Sequence, residues 1–211
     1  GVFGTTKNLK EQFGSNRDFD MPTSENGMTG IAIGAAIGGL KPIMTHQRLD
    51  FFLLAMDQLV NNASKFHFMF GKEVNVPITI RLIIGRGWGQ GPTHAQSLQS
   101  WFAHIPGLKV VMPTTVKDAK GLLLDSIFDP NPVIFLEHRW LHNMIGEVEE
   151  SDDFRIEIGE AEILRDGKDI TIVSMSYMSI EAIHAAKELE KYNISCEIID
   201  LKTISPLDWE T

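Results

Sequence analysis

With 211 residues the chain can form one large α/β unit and part of a second, and its 43% apolar, 22% charged composition is that of an ordinary globular protein. A net charge of −9 without any basic tract argues against a nucleic-acid partner, and the one cysteine, Cys196, rules out an intrachain disulfide and suits a reducing compartment. The longest apolar run, residues 31–40, is broken by glycines and too short to cross a bilayer, so the chain reads as a cytoplasmic protein.

Taken in order, the segments alternate between helix-like and strand-like. Residues 27–39 are small and apolar, with Thr23, Ser24 and Asn26 available as caps, and predict a helix. Residues 42–45 predict a short strand, and residues 50–70 a long buried helix. Val76 to Ile84 is β-branched and apolar between Pro77 and Gly85, and predicts a strand. Then come a helix at 94–105, a strand at 109–112, a helix at 116–128 and a strand at 133–136. Strands separated by single helices predict a parallel sheet with right-handed crossovers.

Residues 141–154 break this pattern with an acidic run, Glu147 to Asp153, that reads as a solvated linker. The chain divides there into a first domain at 1–142, a linker at 143–155 and the start of a second α/β unit at 156–211. In that unit, 161–174 predicts a hairpin turning at Asp166-Gly167, followed by a helix at 179–192 and a strand at 196–201. The chain opens without Met and closes soon after a strand, so it reads as lacking its ends or as part of a longer polypeptide.

Three stretches could carry chemistry. Ser24-Glu25-Asn26 stands where the chain enters the glycine-rich helix, and ligands of open parallel sheets bind at such turns. An acid at a helix start is also favoured by the helix dipole alone. Gly30, Gly34 and Gly38 recur every fourth residue and share a face, which implies either loose packing or close approach of another helix. Residues 85–94 are glycine-rich after a strand, yet miss both the dinucleotide and the phosphate-loop spacings. That loop delivers His94 to a helix start, suited to proton transfer or to surface capping. His138 and His142 lie four apart, but Glu137-His138-Arg139-Trp140-Leu141-His142 is not a zinc-protease order, and no metal is expected there.

The run from Met21 to Ala36, MPTSENGMTGIAIGAA, resembles the pyrimidine-binding core of the transketolase-like superfamily. The likeness continues through Asp50-Phe51, Met56-Asp57-Gln58, residues 106–111 and Asp129-Pro130-Asn131-Pro132. Within that superfamily the chain is most similar to beta subunits of the pyruvate and branched-chain 2-oxoacid dehydrogenases. The resemblance implies an α/β fold in which a parallel-sheet pyrimidine-binding domain precedes the start of a C-terminal transketolase-like domain. It implies oxidative decarboxylation of a 2-oxoacid, pyruvate by default, with acyl transfer to a lipoyl acyltransferase.

The resemblance also implies roles for residues. Glu25 matches the glutamate that hydrogen-bonds the aminopyrimidine of thiamine diphosphate and promotes loss of its C2 proton. Phe51 matches the aromatic packed on the pyrimidine, Gln47 falls in the same pocket, and His94 matches the histidine near the reactive carbon. The carbonyls of Ile78, Ser126, Ile127, Asp129 and Asn131 match a potassium site of some relatives. No Gly-Asp-Gly…Asn motif for magnesium and the diphosphate occurs in the chain. In the family that motif lies on an alpha subunit, so the expected assembly is an α2β2 heterotetramer with shared sites. Thr45 to Leu49, Arg86 to Gln90 and Glu137 to Trp140 depart from the family pattern beside the expected substrate funnel. A transketolase-like or non-oxidative decarboxylase subunit and a non-catalytic assembly subunit are the competing readings.

Overall fold

A computed structural model of the chain describes residues 4–87 and 89–211. Its helices are α1 (Leu9–Phe13), α2 (Glu25–Ile37), α3 (Leu49–Phe52), α4 (Ser64–Met69), α5 (Gln99–Ala103), α6 (Val116–Phe128) and α7 (Tyr177–Leu189). The strands are β1 (Ile43–His46), β2 (Thr79–Ile84), β3 (Lys109–Val111), β4 (Val133–His138), β5 (Glu162–Arg165), β6 (Ile170–Ser174), β7 (Cys196–Asp200) and β8 (Thr203–Ser205). They form two sheets, ordered β1-β2-β4-β3-β8 and β5-β7-β6. In the first sheet β1, β2, β4 and β3 run parallel, and β8 joins β3 antiparallel.

The central strands β2 and β4 are covered on both faces and are therefore largely apolar rather than alternating, whereas the edge strand β1 alternates between exposed and half-buried positions. Ile80, Leu82, Ile134 and Leu136 turn to one face and pack with Ala32, Phe52, Leu59 and Phe102. Val133 and Phe135 turn to the other and meet Leu122 and Ile158. The helix α6 starts where Thr115 and Asp118 close a capping box: Thr115 Oγ1 accepts from the Asp118 amide at 3.1 Å and Asp118 Oδ2 from the Thr115 amide at 2.8 Å.

Three expectations change. Residues 50–70 are helical but not one α-helix. After α3 come a 3-10 turn at Leu53–Ala55 and a π-helical stretch at Gln58–Ala63. Only one side is buried there, through Phe52, Ala55, Leu59 and Ala63, while Leu54 and Phe68 are exposed. The helix expected from His94 begins at Gln99. Residues 94–98 stay out of the helix, held by tertiary contacts: Gln96 Nε2 donates to Asp50 Oδ1 at 2.7 Å and Leu98 packs on the core. Finally, 161–174 is not a hairpin. β5 and β6 both pair with β7, which lies between them, antiparallel to β5 and parallel to β6.

The acidic stretch keeps its carboxylates exposed, but its backbone is strapped to α6. Lys120 Nζ donates to the carbonyls of Glu149 and Ser151, and the Ile158 amide donates to Asp125 Oδ2 at 3.1 Å. Lys202, 5% exposed, meets Glu162 Oε2 at 2.8 Å and lies 3.8 Å from Asp118 Oδ1, joining the second sheet to the first.

Beside that pair Asp200 is fully buried and accepts from Ser179 Oγ at 2.9 Å. Burial pushes its carboxyl from the ordinary 3.8 up to about 6; the hydroxyls of Thr114 and Ser179 pull it back, Asp118 pushes it up and Lys202 lowers it. The native state therefore retains a proton that the unfolded chain has lost, so this group makes stability fall as pH rises between those two values. Asp200→Asn, which cannot ionise, should flatten that slope. It should also melt above the native chain at pH 8, by a margin on the order of 2 kcal/mol. Denaturant titrations at pH 4, 6 and 8 provide the measurement.

Candidate active site

β1, β2 and β4 are neighbours in the first sheet and end at the same edge, at His46, Ile84 and His138. The candidate groups of β1 and of the loops after β1 and β2 lie at that edge. Glu25 is the first residue of α2 and half-buried. Its charge reaches His46, the last residue of β1: burial lowers the His46 pKa, and Glu25 acts against that, so the imidazole is neutral at pH 7. His46 sits edge-on to Phe52 with ring centroids 5.0 Å apart. Among the described residues, His46 Nε2 and Thr29 Oγ1 are shielded from solvent yet have no hydrogen-bond partner.

Gln47 is exposed one residue further on, and its carbonyl accepts from Arg48 Nη1 at 3.3 Å. Phe51 and Phe52 divide their roles by the helical turn they share. Phe52 is fully buried, whereas Phe51 keeps 36% of its surface open. The ring of Phe51 meets the half-buried His94 at right angles, with centroids 5.3 Å apart and planes at 89°. Thus Phe51 and His94, 43 positions apart, are brought together, and the charge of Glu25 is felt at the residue preceding Gln47. His94 does so from a loop, not from a helix N-terminus.

This edge offers a carboxylate, an orphaned imidazole nitrogen and an open aromatic face. That set fits a flat, polar heteroaromatic ring: the Phe51 ring supplies stacking, and the edge groups supply hydrogen bonds. His46 and Thr29 were not singled out from the sequence. A histidine closing a parallel strand was the available signal for His46.

The matched potassium carbonyls lie elsewhere, around the start of β2 and the end of α6. The Ile78 carbonyl already accepts from the Val133 amide and that of Ser126 from Thr79 Oγ1. The ammonium of Lys109 pairs with Asp129, whose other oxygen takes the Asn131 amide at 2.8 Å. The region is charge-compensated by the protein itself. Among the described residues no group of three or more His, Cys, Asp or Glu side chains could hold a metal ion, and no helix is long and apolar enough to cross a membrane.

A parallel sheet with polar groups gathered at its carboxyl edge is the arrangement at which open α/β sheets bind ligands. Residues 1–143 match the transketolase pyrimidine-binding domain family and residues 159–211 the transketolase C-terminal domain family. The chain belongs to the transketolase pyrimidine-binding domain family.

It is 46% identical over its whole length to the acetoin:2,6-dichlorophenolindophenol oxidoreductase subunit beta of Cupriavidus necator, covering 62% of that protein. It is also 46% identical, again over its whole length, to the pyruvate dehydrogenase E1 component subunit beta of Rhizobium meliloti, covering 46% of it. Against the mitochondrial 2-oxoisovalerate dehydrogenase subunit beta 2 of Arabidopsis thaliana the identity is 43% over the whole chain and 59% of the relative. The chain thus spans about half to three fifths of the length of these relatives. The fold is shared with a split-gene transketolase described as an inactive beta4 tetramer, at a TM-score of 0.78 and 23% identity, over 97% of this chain and 63% of that one.

Proposed function

We propose that this chain contributes the pyrimidine side of a thiamine diphosphate site in a two-subunit 2-oxoacid dehydrogenase. The observation that carries the reading is Glu25, a carboxylate at the half-buried start of α2, on the same sheet edge as the Phe51–His94 pair. When bound, thiamine diphosphate supplies a thiazolium carbon able to add to the carbonyl of a 2-oxoacid. Glu25 would hydrogen-bond the aminopyrimidine and assist removal of the C2 proton, Phe51 would orient the ring, and Gln47 would line its pocket. His94 holds or moves a proton beside the reacting carbonyl. Magnesium and the diphosphate are held by an alpha subunit, a lipoyl acyltransferase takes the acyl group, and the setting is cytoplasmic. Potassium at the Asp129 turn has no part in these steps. The first domain, 1–142, then carries the site, with 143–155 joining it to the second unit.

The face of α2 around Gly34 suits the subunit contact. A Cβ built on Gly34 would meet nothing within 4 Å, whereas one on Gly30 would lie 3.2 Å from Gln58 Oε1, and Gly38 caps the helix. Loose internal packing therefore does not explain Gly34. Ile31, Ile37 and Leu40 beside it are 62%, 45% and 64% exposed. Gly34→Leu should leave the melting temperature of the chain within a degree or two, since helix propensity improves and nothing is displaced. It should weaken assembly with the alpha subunit, seen by sedimentation. A collapsed melt or an intact assembly would remove α2 from the interface.

The reading as a whole is tested by producing the full-length polypeptide that contains this chain together with an alpha-type subunit. Magnesium- and thiamine-diphosphate-dependent decarboxylation of a 2-oxoacid is the expected result, and acetoin, a hydroxyketone with no carboxylate to lose, is assayed beside it for oxidative cleavage because a relative of equal identity is named for it. Tight magnesium-dependent binding of the cofactor by this subunit alone would overturn the shared site.

A further inference from the structure

The second unit reaches the same sheet edge through an aromatic contact. Tyr177, the first residue of α7, lies flat on His138, the last residue of β4, with ring centroids 4.8 Å apart and planes 10° from parallel. Two further contacts fix the Tyr177 ring. The residue before it, Ser176, is buried at φ 54° and ψ −136°, a conformation that residues with a side chain rarely adopt. Its carbonyl accepts from Thr114 Oγ1 of the first unit at 3.3 Å. At the other end Glu181, one turn along α7, hydrogen-bonds the Tyr177 hydroxyl and raises its pKa. The start of α7 is therefore held against the first unit, in a backbone conformation the chain adopts at a cost.

His138 in turn meets the loop that follows β2. Its Nδ1 accepts from the Trp140 amide at 3.3 Å, so the ring proton sits on Nε2. Burial first, then His142 and Arg86, bring the His138 pKa down to about 4, so the ring is neutral at pH 7 and stacks as an uncharged heteroaromatic. Gly85 and Gly87, both with positive φ, approach this pair closely: a Cβ would lie 2.9 Å from His138 Nε2 at Gly85 and 3.2 Å from the Trp140 ring at Gly87. Trp140 Nε1 closes the contact by donating to the Arg86 carbonyl at 2.9 Å. The contacts thus run without a gap from Tyr177 in the second unit, through His138 and Trp140, to the base of the loop after β2. Further along that loop Gln90 Oε1 accepts from Arg48 Nη2 at 2.6 Å, and His94 meets Phe51.

We propose that Tyr177 and His138 are positioning residues, through which the second unit sets the place of His94 at the reacting edge. The inference rests on the role given to His94 above. A contact made only for stability would be expected in a core, yet both rings are half-buried and Tyr177 joins none of the hydrophobic clusters of the fold. What the stack does reach is the base of the loop that carries His94. A histidine that serves a reacting carbonyl must stand within hydrogen-bond reach of it, and a displacement of about 1 Å is enough to cost about 100-fold in rate. Glu25 and Phe51 leave from α2 and α3, so the cofactor side of the site does not depend on this stack.

The experiment uses the assembled enzyme. Tyr177→Leu fills the space without a ring and should lower kcat for a 2-oxoacid by about 10- to 100-fold, while the Kd of thiamine diphosphate stays within about 2-fold. Tyr177→Phe keeps the ring, loses only the hydroxyl bond to Glu181, and should restore kcat. The ring-proton resonance of His94 gives a readout independent of turnover, because His94 stands edge-on to Phe51 and feels its ring current. That resonance should move in Tyr177→Leu and stay in place in Tyr177→Phe. Trp140→Phe, at an exposed position, removes the bond to the Arg86 carbonyl and should move it too, which keeps the test open even if Tyr177→Leu does not fold. An unmoved His94 resonance, kcat unchanged in Tyr177→Leu and Trp140→Phe, or a failure of Tyr177→Phe to restore kcat would each overturn the positioning role and leave decarboxylation in place. A His94 resonance that follows the ring at position 177, in an enzyme that decarboxylates no 2-oxoacid, would instead sink the decarboxylation reading and keep the positioning role.

Discussion

Glu25→Gln in the assembled enzyme should slow hydrogen–deuterium exchange at C2 of bound thiamine diphosphate by about two to four orders of magnitude, the range expected when a positioned acid–base group is lost. The amide preserves size and a hydrogen bond but cannot share a proton with the ring. The fold should survive, because Glu25 stands at a half-buried helix start rather than in the core. His46 gives a second readout in the same sample. Glu25 is the group that raises its pKa against burial, so removing that charge should move the His46 titration further down. Exchange unchanged alongside a shifted His46 would leave Glu25 as an acid favoured only by the dipole of α2.

Gly107→Ala should destabilise the fold strongly. Gly107 turns the chain into β3 at φ +93°, and a Cβ there would stand 2.1 Å from the backbone carbonyl oxygen of Ser64. No rotamer relieves a clash with backbone, and the left-handed conformation adds its own penalty. Ser64 is held in turn, its Oγ donating to the Val60 carbonyl at 2.8 Å at the end of the π-helical stretch. A loss of about 3–5 kcal/mol follows, enough to leave a marginal domain largely unfolded. Denaturant melts measure it. Gly89→Ala is the control, with positive φ but nothing within 4 Å, and should lose far less.

How much could be read beforehand depended on whether local signals decided the outcome. The helix expected at 116–128 is observed at those bounds, because Thr115 and Asp118 close its capping box and Leu122 meets the sheet. The strands expected at 76–84 and 133–136 are observed at 79–84 and 133–138, legible as largely apolar runs. The Asp166-Gly167 turn signal misled because pairing in the second sheet is decided by β7, some thirty residues later, which inserts between the two expected partners. Residues 94–98 have ordinary helix-forming side chains, yet the Gln96–Asp50 bond draws them out of a helix, a contact invisible in local sequence. The same distinction holds at the site. Glu25, Phe51 and His94 were legible through motifs, whereas His46, Thr29 and the convergence of Arg48 with Gln90 depend on which strand lies beside which.

The pairing of β8 with β3 bears on the order in which the molecule is made. The last strand of the first sheet comes from within the second unit: Ser205 Oγ donates to the Leu108 carbonyl across 97 positions, and the Met112 amide to the Lys202 carbonyl. During synthesis at about 5–20 residues per second, β3 therefore waits on the order of several seconds with one edge bare. A bare edge recruits any strand that offers itself, including the same edge of a neighbouring nascent chain. Fragments that stop before residue 203 should carry that liability permanently, and should aggregate where the whole chain does not.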